Sequence, residues 1–216
     1  MKRIRVIFFF LIEFSSVKAQ HKIGLHAGFG LVDQYERING LHKDPQSKFG
    51  INMGFLTDVN LTKMIFFRGE LDFVTKGSKI PIVITNPNNP PDPGFDSFIN
   101  SSLNYIEIPL QLGGKLILNK TNSLFLGFGP YFSVAISGKN KFYDGSSDNP
   151  FKLDESQGGY QRFDFGGKIF VDYGIQNFAI NIFYTNGVKD IVGSNDFYIL
   201  KNRALGLNII YYLKKK

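Results

Sequence analysis

The sequence predicts an all-β fold, an eight-stranded antiparallel up-and-down β-barrel that crosses a membrane. Three observations lead to this prediction. Eight segments of about ten residues alternate apolar and polar side chains with a period of two, which is typical of transmembrane β-strands. The apolar positions are rich in aromatic residues, and the chain has 23 Phe and 10 Tyr. The connections between the segments alternate between short and long.

The hairpin predicted between Arg162 and Tyr184 shows the alternation most clearly. In its first arm, large apolar residues alternate with positions that include Asp164, Lys168 and Asp172, and the second arm repeats the pattern. A soluble barrel fills its interior with its apolar face and turns its polar face to water. Because the apolar face here is large and aromatic and the other face is charged, we expect lipid outside the barrel and polar side chains inside it.

The same period along the chain predicts the eight strands in order. They are His21–Leu31, Phe49–Asp58, Met64–Thr75, Leu103–Leu116, Leu124–Ile136, the two hairpin arms on either side of a turn at Gly174–Asn177, and Arg203–Leu213. Pro109 lies in the middle of the fourth strand and Pro130 in the fifth. Since proline cannot donate a ladder hydrogen bond, we expect a bulge or an unpaired position at each of them.

The lengths of the connections predict how the barrel is oriented. The short ones are Val59–Lys63, Ile117–Ser123 and Gly174–Asn177. The long ones are Val32–Lys48, Lys76–Ser102, Ser137–Gln161 and Gly187–Asn202. Short turns on one side, long loops on the other and both termini on the short side are typical of outer-membrane barrels with an even strand number. We therefore predict short periplasmic turns and long extracellular loops.

The start of the chain resembles a secretory signal peptide. A basic beginning is followed by the apolar run Val6–Leu11 and by a small-residue cleavage site at Val17–Ala19. We therefore predict a signal peptide at residues 1–19 and one outer-membrane β-barrel domain at residues 20–216. The net charge of +7 is spread along the chain and clusters only at Lys214–Lys216, a distribution that indicates no nucleic-acid partner.

An eight-stranded barrel has a lumen just wide enough for side chains to fill. Charges inside it persist only when they pair and hydrogen-bond with one another, so we predict an interior polar network with a structural role. Its predicted members are Arg68, Glu70, Asp72, Glu107, Gln111, Lys115, Asp164, Lys168 and Asp172, together with Asn181 and Asn208. A pore lining, a proton path or a pair of catalytic carboxylates are the alternatives.

Motifs for catalysis, cofactors or metals are scarce. The chain has no Cys and three separated His, and it lacks phosphate-loop, nucleophile-elbow and HExxH patterns, so we predict no catalytic, cofactor or metal site. Two alternatives are a calcium site in an acidic loop and a hydrolase-like site on the loop rim. The residues of the first are Asp144, Asp148, Asp154 and Glu155, and those of the second are His42, Asp44 and Ser47.

Four segments of the chain carry a family resemblance: YIEIPLQLGG from Tyr105 to Gly114, RFDFGGKIFVDYGI, YTNGVKDI and the closing KNRALGLNIIYYL. On these segments the chain resembles the outer-membrane β-barrel family of the Bacteroidota that includes the PorT-like proteins. The resemblance implies an eight-stranded barrel in the outer membrane and, for PorT itself, a part in protein secretion across that membrane. The end of the chain departs from the common terminal aromatic, because three lysines follow Leu213.

These observations together predict an outer-membrane protein with a filled lumen and a structural or interaction role, linked to protein secretion or the cell envelope, without enzymatic activity or a cofactor. The expected partners are outer-membrane lipid and a protein that binds the extracellular loops or the periplasmic turns. In the loop Lys76–Ser102, a β-branched run and a Pro-rich turn form either a partner-binding segment or an extension of the neighbouring strands. The alternatives are a narrow channel or small-ligand carrier, and an outer-membrane enzyme with a site on the loop rim.

Overall fold

The computed structural model describes residues 21–38, 40–43, 45–82, 97–142, 148–150, 160–192 and 198–213. These residues form β1 (His21–Ile38), β2 (Leu41–Lys43), β3 (Lys48–Asn60), β4 (Ile65–Lys76), β5 (Lys79–Ile82), β6 (Ser97–Ile117), β7 (Asn122–Phe142), β8 (Asp148–Pro150), β9 (Phe163–Ile175), β10 (Phe178–Gly187) and β11 (Tyr198–Tyr212). The signal peptide lies outside the described residues and stays a prediction.

Eight of these strands form a closed antiparallel barrel. Neighbours around the ring follow the order β6, β4, β3, β1, β11, β10, β9 and β7, and β7 pairs with β6 to close it. Strands that follow one another among these eight lie side by side, so the chain runs up and down around the ring. The predicted fold is therefore confirmed. Closure lets the strands bond to one another on both sides, which a barrel in hydrocarbon requires.

The short turns gather at one end of the barrel. They comprise residues 61–64, 118–121 and 176–177, and the tightest of them holds Gln176 at φ 55°, in the left-handed region. Leu213 N donates to Ile23 O at 2.8 Å, so both ends of the described chain lie there too. The other four connections lie at the opposite end, as predicted. We call the two sides the turn end and the loop end.

Several strands continue further towards the loop end than the sequence predicts. β6 and β7 each have 21 residues and β1 has 18, where strands of about ten were expected. The short β5 and β8 pair with the extended parts of β6 and β7. The four form what we call the loop-end sheet, β5–β6–β7–β8. The predicted loop Lys76–Ser102 is thus in part an extension of strands, while residues 83–96 lie outside the described range.

The prolines interrupt single ladders of the sheet. The ladder between β4 and β6 skips Pro109, and the ladder between β6 and β7 skips Pro130. The expected unpaired positions are therefore present. The bulge lies elsewhere, at the step from Asn104 to Tyr105, where Ile136 is the extra residue of β7. Beyond this bulge the outward positions of β7 become polar, so the apolar alternation stops while the pairing continues.

The outward side chains form an apolar band around the barrel. They stay exposed in the isolated chain, with Phe128 at 67% and Ile209 at 62%, an exposure that suits lipid and not water. Tyr173 and Tyr211 point outward near the turn end and Tyr184 near the loop end, which fits two aromatic girdles.

No helix among the described residues is long and apolar enough to cross a membrane.

Candidate functional site in the barrel lumen

Three of the buried cations in the described part of the lumen, Arg68, Lys76 and Lys168, each lie between two carboxylates. We name the groups by position: the turn-side cluster is Asp58, Arg68 and Asp172, the central cluster is Glu70, Asp72 and Lys168, and the loop-side cluster is Lys76, Glu107 and Asp164. β4 and β9 contribute to all three, because every second residue of a strand points to the same face. The lumen is therefore organised in three similar ionic layers.

Arg68 holds the turn-side cluster together. Its Nε lies 2.6 Å from Asp58 Oδ1, its Nη2 lies 3.0 Å from Asp58 Oδ2, and its Nη1 lies 2.8 Å from Asp172 Oδ2. The Tyr212 hydroxyl accepts from Nη2 and donates to Asp58, both at 2.9 Å. Asn181 Nδ2 donates to Asp172 Oδ1 at 2.5 Å. Since these groups are buried, each charge depends on its partners and not on water.

Aromatic rings pack inside the barrel beside Arg68. The guanidinium carbon lies 4.3 Å from the ring centroid of Phe170 and 5.5 Å from that of Phe66. Such contacts stabilise a desolvated guanidinium. Four rings make up this aromatic cluster: Phe66, Phe125, Phe170 and Phe183. The prediction of the interior did not include these four rings. The phase of Phe66 with Arg68 along β4, and of Phe170 with Lys168 along β9, would have indicated two of them.

Lys168 joins Glu70 and Asp72 in the central cluster. Its Nζ contacts Glu70 Oε2 and lies 3.5 Å from Asp72 Oδ2. His26 Nε2 lies 2.8 Å from Asp72 Oδ1, so the imidazole is a further member that the predicted network lacked. The ammonium also lies 5.1 Å from the ring centroid of Phe183.

His26, Glu70 and Asp72 bring their ligand atoms within 4.8 Å of one another. One imidazole and two carboxylates form a donor set that suits first-row divalent ions. Here the Lys168 ammonium contacts both carboxylates, and a dication would have to displace it. The arrangement is therefore an ion-paired cluster more than a prepared metal site.

Lys76 bridges Glu107 and Asp164 in the loop-side cluster. Its Nζ lies 2.6 Å from Glu107 Oε2 and 3.1 Å from Asp164 Oδ2. Asp164 Oδ2 also accepts from the Tyr131 hydroxyl at 3.3 Å and from Asn202 Nδ2 at 2.9 Å. The prediction that Lys76 begins a loop was wrong. It ends β4 and points into the lumen, in phase with the charged positions before it.

An apolar plug closes the lumen beyond this cluster. Its residues are Val74, Leu103, Tyr105, Ala135, Ile191 and Leu200. Ile191 lies in the β10–β11 connection, where its N donates to Leu200 O at 2.9 Å and its O accepts from Gln161 N at 2.7 Å. Asp190 Oδ1 accepts from the backbone N–H groups of Val192 in this connection and of Leu200 in β11. Tyr160 packs against the plug, and burial raises the pKa of its phenol, so it stays neutral there.

Of the nine predicted interior residues, seven belong to the three ionic clusters. The other two differ from expectation. Gln111 is fully buried, but neither of its amide atoms has a hydrogen-bond partner within the described part of the chain. Lys115 is only partly buried at the turn end, with its Nζ 5.4 Å from the ring centroid of Phe125. Asn208 Nδ2 donates to Asn181 Oδ1 at 3.1 Å, so both amides join the turn-side cluster.

One small cavity lies between the lumenal side chains that the structure describes. A cavity beside Asn52, Lys76 and Glu107 has a volume of about 20 Å³. That volume suits about one water molecule. The lumen around it is filled by side chains.

The two alternative sites on the loop rim fall largely outside the described residues. This holds for the side chains of Asp144, Asp148, Asp154 and Glu155, and for those of His42 and Asp44. Ser47 is described, and its hydroxyl donates to Asp33 Oδ2 at 3.4 Å. Neither site is tested by the geometry.

The chain matches the family described as outer membrane protein beta-barrel domain over residues 15–193. It belongs to this family. The outer membrane protein β-barrel domain therefore stands in the outer membrane, with its apolar band against lipid. Because short turns face the periplasm in such barrels, the turn end is the periplasmic end and the loop end is extracellular.

Solved outer-membrane proteins match the chain at low identity. Ail, the attachment invasion locus protein of Yersinia pestis, is 12% identical with a TM-score of 0.42, and the match covers 89% of this chain and 99% of Ail. OprG from Pseudomonas aeruginosa is 10% identical with a TM-score of 0.43, covering 91% and 98%. Neisserial surface protein A is 13% identical with a TM-score of 0.40, covering 88% and 96%. No curated protein matches the chain.

Proposed function

We propose that this outer-membrane β-barrel is a closed membrane anchor that binds a protein partner at its extracellular end, and that it acts neither as a channel nor as an enzyme. The observation that carries the proposal is the filled lumen. Arg68, Lys76 and Lys168 each lie between two carboxylates, and moving one of them would leave buried charges unpaired, at a cost of about 3–5 kcal/mol. The apolar plug lies above them. The functional surface is therefore expected outside the lumen.

The loop-end sheet supports a role in binding. From the bulge at Ile136 to its end at Phe142, β7 continues for about 20 Å along the strand. Its outward side chains there include the exposed Lys139 and Lys141. An ordered sheet with polar outward positions, standing beyond the apolar band, is a suitable surface for a water-soluble partner.

The finer role that we propose is in the cell envelope or in protein secretion. It rests on the resemblance of the segments YIEIPLQLGG and RFDFGGKIFVDYGI to the PorT-like barrels of the Bacteroidota. In the structure these segments are the membrane-crossing parts of β6 and β9. They support membership of the barrel type, and the partner itself has to be identified by experiment.

The proposal that the barrel is not an enzyme rests on the same geometry. Within the described part of the chain, the lumenal acids and bases are buried against one another, and the plug separates them from the extracellular side. A substrate would have no path to these groups.

A conductance measurement tests the closed lumen. Purified protein in a planar bilayer is expected to show no steady openings, because an ion would have to pass three paired clusters. Steady single-channel steps in the unmodified protein would overturn the closed-anchor proposal in favour of a narrow channel.

Site-specific crosslinking in intact cells tests the binding surface. A photoreactive residue at Lys139 or Lys141 is expected to yield one discrete crosslinked protein. The same residue at Lys120, which is exposed on a turn at the other end, is the matched control and should not yield it. The same product from both ends, or no product from the loop-end sheet, would contradict the proposal.

A further inference from the structure

A basic pocket lies on the outer surface of the barrel at the loop end, between β1, β10 and β11. It has a volume of about 360 Å³. In the register of β1 and β11, Tyr35 lies opposite Lys201, and Arg37 lies opposite Ile199. These positions face outward, because they alternate with the buried Glu36. The pocket is separate from the lumen and from the loop-end sheet, so it is independent of the function proposed above.

The pocket begins where the apolar band ends. On β11 the exposed Leu205 is followed towards the loop end by the outward positions Arg203 and Lys201. On β10 the outward Tyr184 forms the lower wall of the pocket. A tyrosine ring followed by cations is typical of the boundary between hydrocarbon and lipid headgroups. The pocket therefore opens sideways at the level of the extracellular headgroups.

The charges of the pocket are unbalanced. Arg203 Nε donates to Asp33 Oδ1 at 2.8 Å, so this cation is matched by an acid. Arg37 and Lys201 form no ion pair with any carboxylate in the described ranges. They are diagonal neighbours across the β1–β11 ladder, about 7–8 Å apart at their backbones. Two of the three cations that line the pocket thus have no carboxylate partner among the described residues.

We propose that this pocket binds the phosphate group of an anionic lipid in the extracellular leaflet, the phosphorylated glucosamine headgroup of lipid A. A guanidinium and an ammonium are the side chains that bind phosphate oxygens, the first with two parallel donors and the second as a point charge. Basic pockets at the headgroup level of membrane proteins bind anionic lipids in this way. Tyr35 and Tyr184 line the pocket, and aromatic rings are surfaces on which a sugar can pack.

Cations that merely extend towards water at a membrane surface need no enclosing wall. Here Asn186 and Val188 line the pocket on the β10 side, across β11 from Tyr35. Its size also lies within the range of sites for small ligands, about 300–1,000 Å³. These features favour one bound headgroup over a diffuse attraction to the membrane.

Lipid titration of the full chain in detergent micelles, followed by native mass spectrometry, tests the proposal. The probes are lipid A, dephosphorylated lipid A and inorganic phosphate. A one-to-one complex is expected with lipid A, and little binding of the other two. The double variant Arg37→Gln/Lys201→Gln should bind lipid A about thirty-fold more weakly. Arg37→Lys/Lys201→Arg keeps both charges and should retain binding.

The matched control is Lys63→Gln/Lys120→Gln, which removes two exposed cations at the turn end. It should bind lipid A like the unmodified protein. Equal weakening by both glutamine variants would mean general electrostatic attraction and would overturn the site. Equally tight binding of dephosphorylated lipid A would overturn phosphate recognition. Binding of inorganic phosphate as tight as that of lipid A would overturn the lipid as the occupant.

Discussion

Arg68 and Asp58 lie directly opposite each other in the β3–β4 ladder and form a two-pronged ion pair inside the barrel. Their side chains are 0% and 4% exposed, so neither charge is solvated by water. One hairpin therefore builds the pair, and β9 adds Asp172 from the far side of the lumen. The guanidinium of Arg68 thus connects the β3–β4 hairpin to β9.

Replacing Arg68 by Met is expected to lower the free energy of unfolding by about 3–5 kcal/mol, because Asp58 and Asp172 would be left as unpaired buried carboxylates. Urea unfolding of the protein in lipid vesicles measures the change. The triple variant Arg68→Met/Asp58→Asn/Asp172→Asn removes both carboxylates and should recover most of the loss. Equal destabilisation of the single and triple variants would show that packing, and not pairing, is what Arg68 supplies.

Gly166 and Gly167 are expected to respond in opposite ways to replacement by Ala. A Cβ at Gly166 would lie 2.1 Å from Asn186 O and 2.7 Å from Tyr131 Cε1, whereas a Cβ at Gly167 would have no atom within 4 Å. Gly166→Ala should cost about 1–3 kcal/mol or more through overpacking. Gly167→Ala should be neutral or stabilise by up to about 1 kcal/mol. The same urea titration compares them, and equal losses would contradict the assignment of faces.

Ile182→Arg is expected to destabilise the barrel or block its insertion, because Ile182 lies in the apolar band and is 53% exposed to the lipid side. An arginine at the bilayer midplane costs about 2–4 kcal/mol. Asn186→Arg is the control, since Asn186 faces outward on the same strand beyond the band, where the cost falls to about 0–1 kcal/mol. Folding yield into vesicles measures both, and similar yields would place the band elsewhere.

Asn181→Arg, the inward counterpart on the same strand, is expected from the sequence to be milder than Ile182→Arg. The structure indicates that this substitution has a cost of its own. Asn181 is 4% exposed and donates to Asp172 within a filled lumen. A longer side chain there would overpack the turn-side cluster, so we expect a loss of about 1–3 kcal/mol.

Removing Lys168 should turn the central cluster into a metal site. In Lys168→Met, His26, Glu70 and Asp72 would keep one imidazole and two carboxylates with no competing ammonium. Refolding with Zn²⁺ is then expected to raise the Tm. At a hundredfold excess of Zn²⁺ over its Kd, the free energy of unfolding should rise by about 2.7 kcal/mol. Thermal unfolding followed by circular dichroism measures it. The unmodified protein should not respond.

The control for this experiment is His26→Ala/Lys168→Met, which lacks the imidazole. Zn²⁺ should have a much smaller effect on it. If the unmodified protein gains as much as Lys168→Met, the ammonium does not exclude metal and the view of the cluster as a closed ion-paired layer is wrong.

The strand pattern of the membrane-crossing part could be predicted from the sequence because lipid and lumen impose opposite chemistry on alternate residues. This is why Asp164, Lys168 and Asp172 were placed inward from one hairpin. The extended parts of β6 and β7 were not predicted, since beyond the bulge at Ile136 the outward face no longer meets lipid and the period-two signal disappears. Hydrogen bonding between the strands continues there, although no apolar pattern in the sequence indicates it.

The inward orientation of a charged residue was more predictable than its partners in an ionic cluster. Alternation assigns Arg68 and Asp172 to the lumen but contains no information on which acid meets which base. That choice depends on the stagger of non-neighbouring strands across the barrel, and β4 and β9 are far apart in the chain. His26 and Lys76 show the same limit. Their phase marked them as inward, yet only the closed ring brings them to their carboxylates.

The extra residue at Ile136 has a consequence for how this protein can change over evolution. The extra residue changes which positions of β7 point outward at the level where the β6–β7 hairpin leaves the lipid. The membrane-crossing part of the hairpin and its loop-end extension are therefore under different sequence constraints. Substitutions in the loop-end extension can therefore be selected without disturbing the membrane-crossing part. Regular pairing through Ile136, without the bulge, would turn Lys139 and Lys141 inward. Lipid and lumen constrain the membrane-crossing part of the barrel, whereas the loop-end extension can vary.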